Sequence, residues 1–439
     1  MIIRSTKLIL GIDLTIVLFT VVTSLTSARA LGPEGRGDLL LINLWPIVIG
    51  LLAELGLANA YRFWMAREPE RVSPLFSNAV LYAAIGGTVS VVLGYLIVPH
   101  LIAKRPADVM FLLSIYMLNI PAMIFLSLMR GLLEGTKRFG WAGATRLTFF
   151  GTQAFGFAGL WLMHKLTVAT AAYAMMSSQI PAITLALIAV FIHLRPRWQP
   201  SWKEFRNSLH YGLRDYAGGV ADFTTLRLDQ MMLAGMASSA AIGLYIIAVR
   251  LSELTTYVAG AAARALMPEV AASREGTKAE TLLARTLRLT LYANVLLLIP
   301  LWFGAPLLLR ILFGTSFVPA TGAFRWLLLA AVVWSASAIV ISGLQGFGYP
   351  GLSTIARFLS AGATAITLPI LLPRYGITGA AIASLIGYSI LLAVSLFALV
   401  RRRQLKFWRY LRPQRHDIPL ARIRALALQS WPLARSTEG

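Results

Sequence analysis

An ionisable side chain near the centre of a lipid bilayer costs ~2.5–3.5 kcal/mol even on a lenient insertion scale, so each one needs a partner or an aqueous cavity. Asp13, Glu54, Asp215, Asp222, Arg227, Asp229, Arg250, Glu253 and Arg264 all stand inside long apolar runs of this chain. Asp215, Asp222 and Asp229 recur every seven residues. Seven steps of 100° put them on one narrow stripe of a helix. Arg227 lies off that stripe and has no carboxylate three or four residues away, so an ionic partner must come from another helix, a substrate or water. Arg227 falls four residues after the midpoint of Leu209–Ala237 and Arg250 four residues before that of Ala241–Met267, which in antiparallel spans predicts one common depth about 6 Å to the periplasmic side of the centre at 1.5 Å per residue. Two chemistries fit them. They form interhelical ion pairs with Asp229 and Glu253, or they present two guanidinium forks to the oxygens of a pyrophosphate. Asp13, Glu54, Asp222, Asp229 and Glu253 are candidates for coupling to H+ or Na+, because a carboxylate at depth can exchange a proton or hold a cation; a hydrogen-bonded structural role is the alternative.

Other chemistries are poorly supplied. The chain has no cysteine, which excludes disulfides and thiolate metal sites. His100, His164, His193, His210 and His416 fall at expected helix ends or in loops, so no metal site and no cofactor is expected. Loops on the outer side are short, and no cluster of histidines and carboxylates sits where a nucleophile and base would meet. A membrane polymerase, ligase or glycosyltransferase is therefore disfavoured, and a non-enzymatic role is expected.

The elements that hold these residues must be membrane-spanning helices. Of 439 residues, 57% are hydrophobic and 13% charged, and mean hydropathy is +0.71. Roughly 20 apolar residues cross a hydrocarbon core of ~30 Å. Twelve such stretches are read, from Leu8–Ala28, Leu39–Met65 and Ser77–Ile102 through Leu209–Ala237 and Ala241–Met267 to Ile377–Val400. With the amino terminus inside, most of the 40 Lys and Arg fall on the inner side. That asymmetry orients the protein with both termini in the cytoplasm of a bacterial inner membrane. It also accounts for the net charge of +22 through topology and anionic lipid, without nucleic acid. Ala28-Arg29-Ala30 after the first apolar run imitates a signal-peptide cleavage site, but Asp13 within the run argues for a retained helix.

The longest basic loop divides the chain into a six-helix lobe at 1–194, a linker at 195–208, a second six-helix lobe at 209–400 and a basic interfacial tail at 401–439. An internal repeat supports two halves. Leu133-Glu134-Gly135 before Arg146 matches Leu344-Gln345-Gly346 before Arg357, and Val168–Ala174 matches Ile377–Ala383, shifts of 211 and 209 residues. Pro46, Pro121, Pro181 and Pro369 lie within spans and mark kinks or hinges.

Three stretches resemble the oligosaccharide flippases of O-antigen and exopolysaccharide export, within the multidrug/oligosaccharidyl-lipid/polysaccharide exporter superfamily. They are Ala28–Gly37 with the helix to Asn59; Arg227-Leu228-Asp229-Gln230 with Gly243-Leu244-Tyr245 and Arg250; and Leu344-Gln345-Gly346 through Pro373-Arg374-Tyr375-Gly376 to Gly379-Ala380-Ala381. The resemblance implies an all-α membrane fold of two pseudo-symmetric six-helix bundles, MATE-like. It implies a monomeric flippase that moves undecaprenyl-pyrophosphate-linked oligosaccharide from the cytoplasmic to the periplasmic leaflet by alternating access, among membrane lipids and alongside polysaccharide polymerase machinery. Lipid II flippases, which usually carry fourteen helices, and multidrug or cation antiporters of the same superfamily are the alternatives.

Overall fold

The computed structural model describes residues 2–102, 105–273 and 276–403, and within helices the side chains of 2–10, 214, 215, 217, 222, 268, 276, 277 and 403 lie outside the description. The expected basic tail lies outside it too, apart from its first three residues. Thirteen α-helices follow one another among the described residues: α1 Ile2–Glu54, α2 Leu57–Arg67, α3 Val72–Leu101, α4 Ala107–Met117, α5 Ile120–Gly135, α6 Phe139–Leu162, α7 Val168–Ser177, α8 Gln179–His193, α9 Trp202–Met236, α10 Ser239–Ala272, α11 Gly276–Phe313, α12 Thr321–Gly346 and α13 Pro350–Arg403.

Among the described residues, eight helical segments are long and apolar enough to cross a membrane. Two of them are double. α1 breaks at Gly32 (φ 64°) and α13 at Gly376 (φ 58°), positive-φ positions that glycine adopts without a Cβ penalty. With α6 and α9, the segments fit the twelve expected spans. α9 is the least apolar of the long helices because it carries Asp215, Asp222, Arg227 and Asp229. Prolines act at restarts more than as kinks. α4 stops at Leu118 and α5 resumes with Pro121 in its first turn, while α8 resumes after Ser178 with Pro181 at its third position. A proline there lacks only an N–H that would have no helical partner anyway. Pro46 and Pro369 ride inside unbroken helical arms.

Residues cluster into two compact units. Among the described residues, the first comprises those of 2–251, 304–327 and 361–384; the second comprises those of 252–303, 328–360 and 385–403. The first unit's core gathers Leu39, Leu41, Ile42, Leu57, Tyr61, Leu75, Leu128 and Leu132, all fully buried. In the second, Leu266, Val270, Leu283, Leu287, Ile339, Val340, Leu344 and Leu399 form one cluster.

In the first unit the expected linker is fixed to α3. Asn78 and Ser201 exchange two hydrogen bonds (Nδ2 to the Ser201 carbonyl, 2.9 Å; the Ser201 amide to Oδ1, 3.1 Å). Ser77 Oγ accepts from the Gln199 amide at 2.7 Å and Ser73 Oγ from the Arg197 amide at 3.0 Å. Arg71 then holds Glu204, in the first turn of α9, at 2.8 Å.

Candidate functional site

α1 reverses at Gly32, and its second arm (33–54) is laid directly on the start of α10. A Cβ at Gly37 would stand 1.8 Å from the Ser239 carbonyl oxygen, and one at Gly243 would stand 1.8 Å from that of Pro33. Only glycine permits this approach, and it brings the first and second family-like stretches together. Around the contact lies a polar belt. Arg105, between α3 and α4, donates to the carbonyls of Ala234 (2.8 Å) and Ala237 (2.6 Å) at the end of α9, and to Ser239 Oγ (3.3 Å). Asp38 faces Ser239 and Arg105. Burial pushes the Arg105 guanidinium below its ordinary value, and Asp38 partly restores it. Arg29, at the end of the first arm, donates to the carbonyls of Leu312 (2.9 Å) and Ile311 (2.6 Å) in the last turn of α11. Two cations thus sit on two helix C-termini, the negative ends of their dipoles. All these turns lie at the face opposite the start of α1, here termed the far face.

Arg36, one turn into the second arm, is half-buried. Its Nε is buried and has no hydrogen-bond partner among the described residues, and Arg250 of α10 lies within electrostatic range of it. The span expected from Leu39 leaves Arg36 outside it, and its place between Gly35 and Gly37 is the signal in the sequence that a helix opens there.

Asp229 is buried and satisfied by neutral donors: Tyr245 Oη at 2.5 Å, Ser384 Oγ at 3.1 Å and the Gln230 amide at 2.7 Å. Arg227 is half-buried and interacts with it electrostatically. The Asp229–Tyr245 bond sets the register of α9 against α10. Arg227 lies two residues before Asp229 on α9, and Arg250 lies five residues after Tyr245 on α10.

A second charged group lies nearer the amino-terminal face. Asp13 accepts from Arg146 of α6 at 2.9 Å. Glu54 lies against Ser127, the Ala58 amide, Arg130 and Arg62, and Arg62 pairs with Glu134 at 2.5 Å. Glu54 ends α1 where the chain breaks at Leu55 (φ 51°) and Gly56 (φ 70°) before α2. That break frees carbonyls, and two tyrosines take them: Tyr82 donates to Ala53, and Tyr216 of α9 to Leu52 at 2.6 Å. Gly56 meets Gly212 of α9 at close range, and Phe63 stacks on Tyr211 with centroids 4.3 Å apart. Sequence reading found Asp13 and Glu54 but not Arg62, Arg130 or Arg146. Asp222 is helical, with its side chain outside the description; Glu253 is half-buried on α10 in the second unit. Among the described residues no group of three His, Cys, Asp or Glu is arranged to hold a metal.

A family profile described as polysaccharide biosynthesis protein matches residues 2–274. The chain belongs to that family. Among curated relatives it is similar to the probable low-salt glycan biosynthesis flippase Agl15 of Haloferax volcanii, 22% identical over 225 residues, which are 50% of this chain and 46% of the relative. It is also similar to the uncharacterized membrane protein MJ1068 of Methanocaldococcus jannaschii, 24% identical over 247 residues, 54% of this chain and 48% of that one. The chain spans about half the length of the curated relatives it matches. Among solved structures it resembles the lipid II flippase MurJ in an inward closed conformation, with a TM-score of 0.77 and 13% identity over 98% of this chain and 93% of MurJ. An inward-facing MATE-family multidrug transporter of the MOP superfamily gives a TM-score of 0.67 and 17% identity over 88% of this chain and 94% of that one. The family's fold is therefore that of MATE and MurJ, a multi-pass membrane protein, as the sequence resemblance implied.

Proposed function

We propose that this protein is a flippase that carries a lipid-linked oligosaccharide, with undecaprenyl pyrophosphate as its carrier, from the cytoplasmic to the periplasmic leaflet of the inner membrane. Both termini are cytoplasmic, and the residues beyond 208 move as a lobe against the residues before 195 in alternating access. The observation that carries the reading is the buried Arg36 Nε, which has no hydrogen-bond partner among the described residues and lies within electrostatic range of Arg250. Two like charges in a low-dielectric setting repel, and a pyrophosphate relieves that repulsion while the sugar stays in water and the polyprenyl chain in lipid. Arg227 joins them from α9. Asp229 and Asp13 are held by hydrogen bonds and an ion pair, which supports structural roles; Glu54, beside the break in its helix, is the carboxylate best placed to couple H+ or Na+ to movement. No step requires covalent chemistry.

The test is transport of a lipid-linked oligosaccharide in proteoliposomes by Arg36→Ala and Arg250→Ala variants. Losing charge-assisted hydrogen bonds worth about 1.5–3 kcal/mol lowers the rate roughly tenfold or more, at unchanged insertion. Normal transport by both removes the pair from the mechanism. A second reading, lipid II as cargo, draws on the likeness to MurJ over nearly the whole chain; competition by lipid II in the same assay separates the two.

A further inference from the structure

The segment between α8 and α9 is a connection in sequence and a fixed platform in structure. Its backbone amides at Arg197, Gln199 and Ser201 are each held by a side chain of α3, and Ser201 Oγ accepts from the Glu204 amide to start α9. Arg195, Arg197, Trp198, Trp202, Lys203 and Arg206 are all exposed from this rigid frame. The one carboxylate among them, Glu204, is taken by Arg71. Among the described residues none of the four cations enters a salt bridge.

Trp198 and Trp202 keep 60% and 75% of their surface open. Indole is poorly suited to bulk water and well suited to the headgroup layer, where its ring meets lipid and its N–H meets water. The platform begins two residues after the apolar α8 ends, where the sequence turns from apolar to basic. Cations that alternate with tryptophans there match phosphate-bearing headgroups in charge and in amphipathy. Because the backbone is already ordered, little conformational entropy remains to be lost on binding.

We propose that residues 195–206 form a preorganised docking platform for anionic phospholipid headgroups on the membrane face where α8 emerges. The platform goes beyond the flippase reading and stands without it, since it involves neither Arg36 nor Arg250. Bound lipid would brace the base of α9 against α3.

The test uses the full chain in nanodiscs of phosphatidylcholine with and without phosphatidylglycerol, read by thermal unfolding and containing no lipid diphosphate. The wild type is expected to gain several degrees from phosphatidylglycerol. The Arg195→Gln/Arg197→Gln/Lys203→Gln/Arg206→Gln variant should lose at least half of that gain. Arg67→Gln/Lys165→Gln/Arg264→Gln/Arg374→Gln, which removes the same charge from other exposed positions, should keep it. An equal loss in both variants, an undiminished gain in the first, or no gain in the wild type overturns the proposal. Asn78→Ala, which leaves every charge in place but loosens the frame, should reduce the gain as well; a full gain there would overturn the claim that the platform is preorganised.

Discussion

Asp229 and Asp13 carry the same functional group in opposite circumstances. Asp229 has 4% of its surface exposed and is enclosed by Tyr245, Ser384 and a backbone amide. Removing its oxygens strands buried donors, and each unsatisfied group costs about 1–3 kcal/mol. Asp229→Ala should therefore lower the unfolding temperature markedly, while Asp229→Asn, which still accepts from Tyr245, should lower it much less; equal stability of wild type and alanine variant would refute this account. Asp13 and Arg146 keep 34% and 35% of their side-chain surface exposed, so solvent screens the pair. Breaking it should cost less than about 1 kcal/mol. If Asp13→Asn keeps normal stability but loses transport, Asp13 returns as a coupling residue. Sequence identified both acids from their depth in apolar runs. It did not identify their partners, because Arg146 is 133 residues from Asp13 and Ser384 is 155 from Asp229, and one sequence carries no sign of such pairings.

Among elements, the far-face belt is made of backbone as much as of side chains. Arg29 and Arg105 bond the last carbonyls of α11 and α9. A cation at a helix C-terminus contributes roughly 0.3–1 kcal/mol, so the two together bias this face toward closure by a factor of about three to thirty. The chain has no cysteine, which allows Gln230→Cys to serve as a single reporter beside Asp229. Its labelling by a water-soluble maleimide should rise severalfold when Arg29→Ala and Arg105→Ala are combined. Gly37→Leu should have the same effect by wedging α1 from the Ser239 carbonyl. Unchanged labelling in both backgrounds would leave the belt a static support. The helices themselves were largely legible from apolar length, including α9, whose charges make it the weakest hydropathy signal. Their interior breaks were legible only in part. Pro121 and Pro181, read as kinks or hinges within spans, instead stand in the first turns of α5 and α8, whereas the break at Leu55 and Gly56 depends on tertiary donors to the Ala53 and Leu52 carbonyls.

At the scale of the whole molecule, the two stretches related by the 211-residue shift end in turns of like geometry. Gly135 ends α5, and two residues later Lys137 takes φ 60°; Gly346 ends α12, and two residues later Gly348 takes φ 85°. Each terminal glycine is also pressed against a helix of its own unit. A Cβ on Gly135 would lie 2.6 Å from the Arg62 carbonyl oxygen and from Met65 Cβ, and one on Gly346 would lie 2.8 Å from Val270 Cβ and 2.9 Å from the Met267 carbonyl oxygen. Arg62 and Met65 stand three residues apart on α2, as Met267 and Val270 do on α10, so the same contact is built twice. Short Leu-x-Gly matches arise by chance in apolar sequence, but a shared turn geometry and a shared partner spacing do not follow from composition. Overpacking of such a contact costs about 1–3 kcal/mol. Gly135→Val and Gly346→Val should each lower stability within that range, measured as a shift in denaturant midpoint. A large loss for one and none for the other would mean that the halves inherited the sequence motif without the packing it serves.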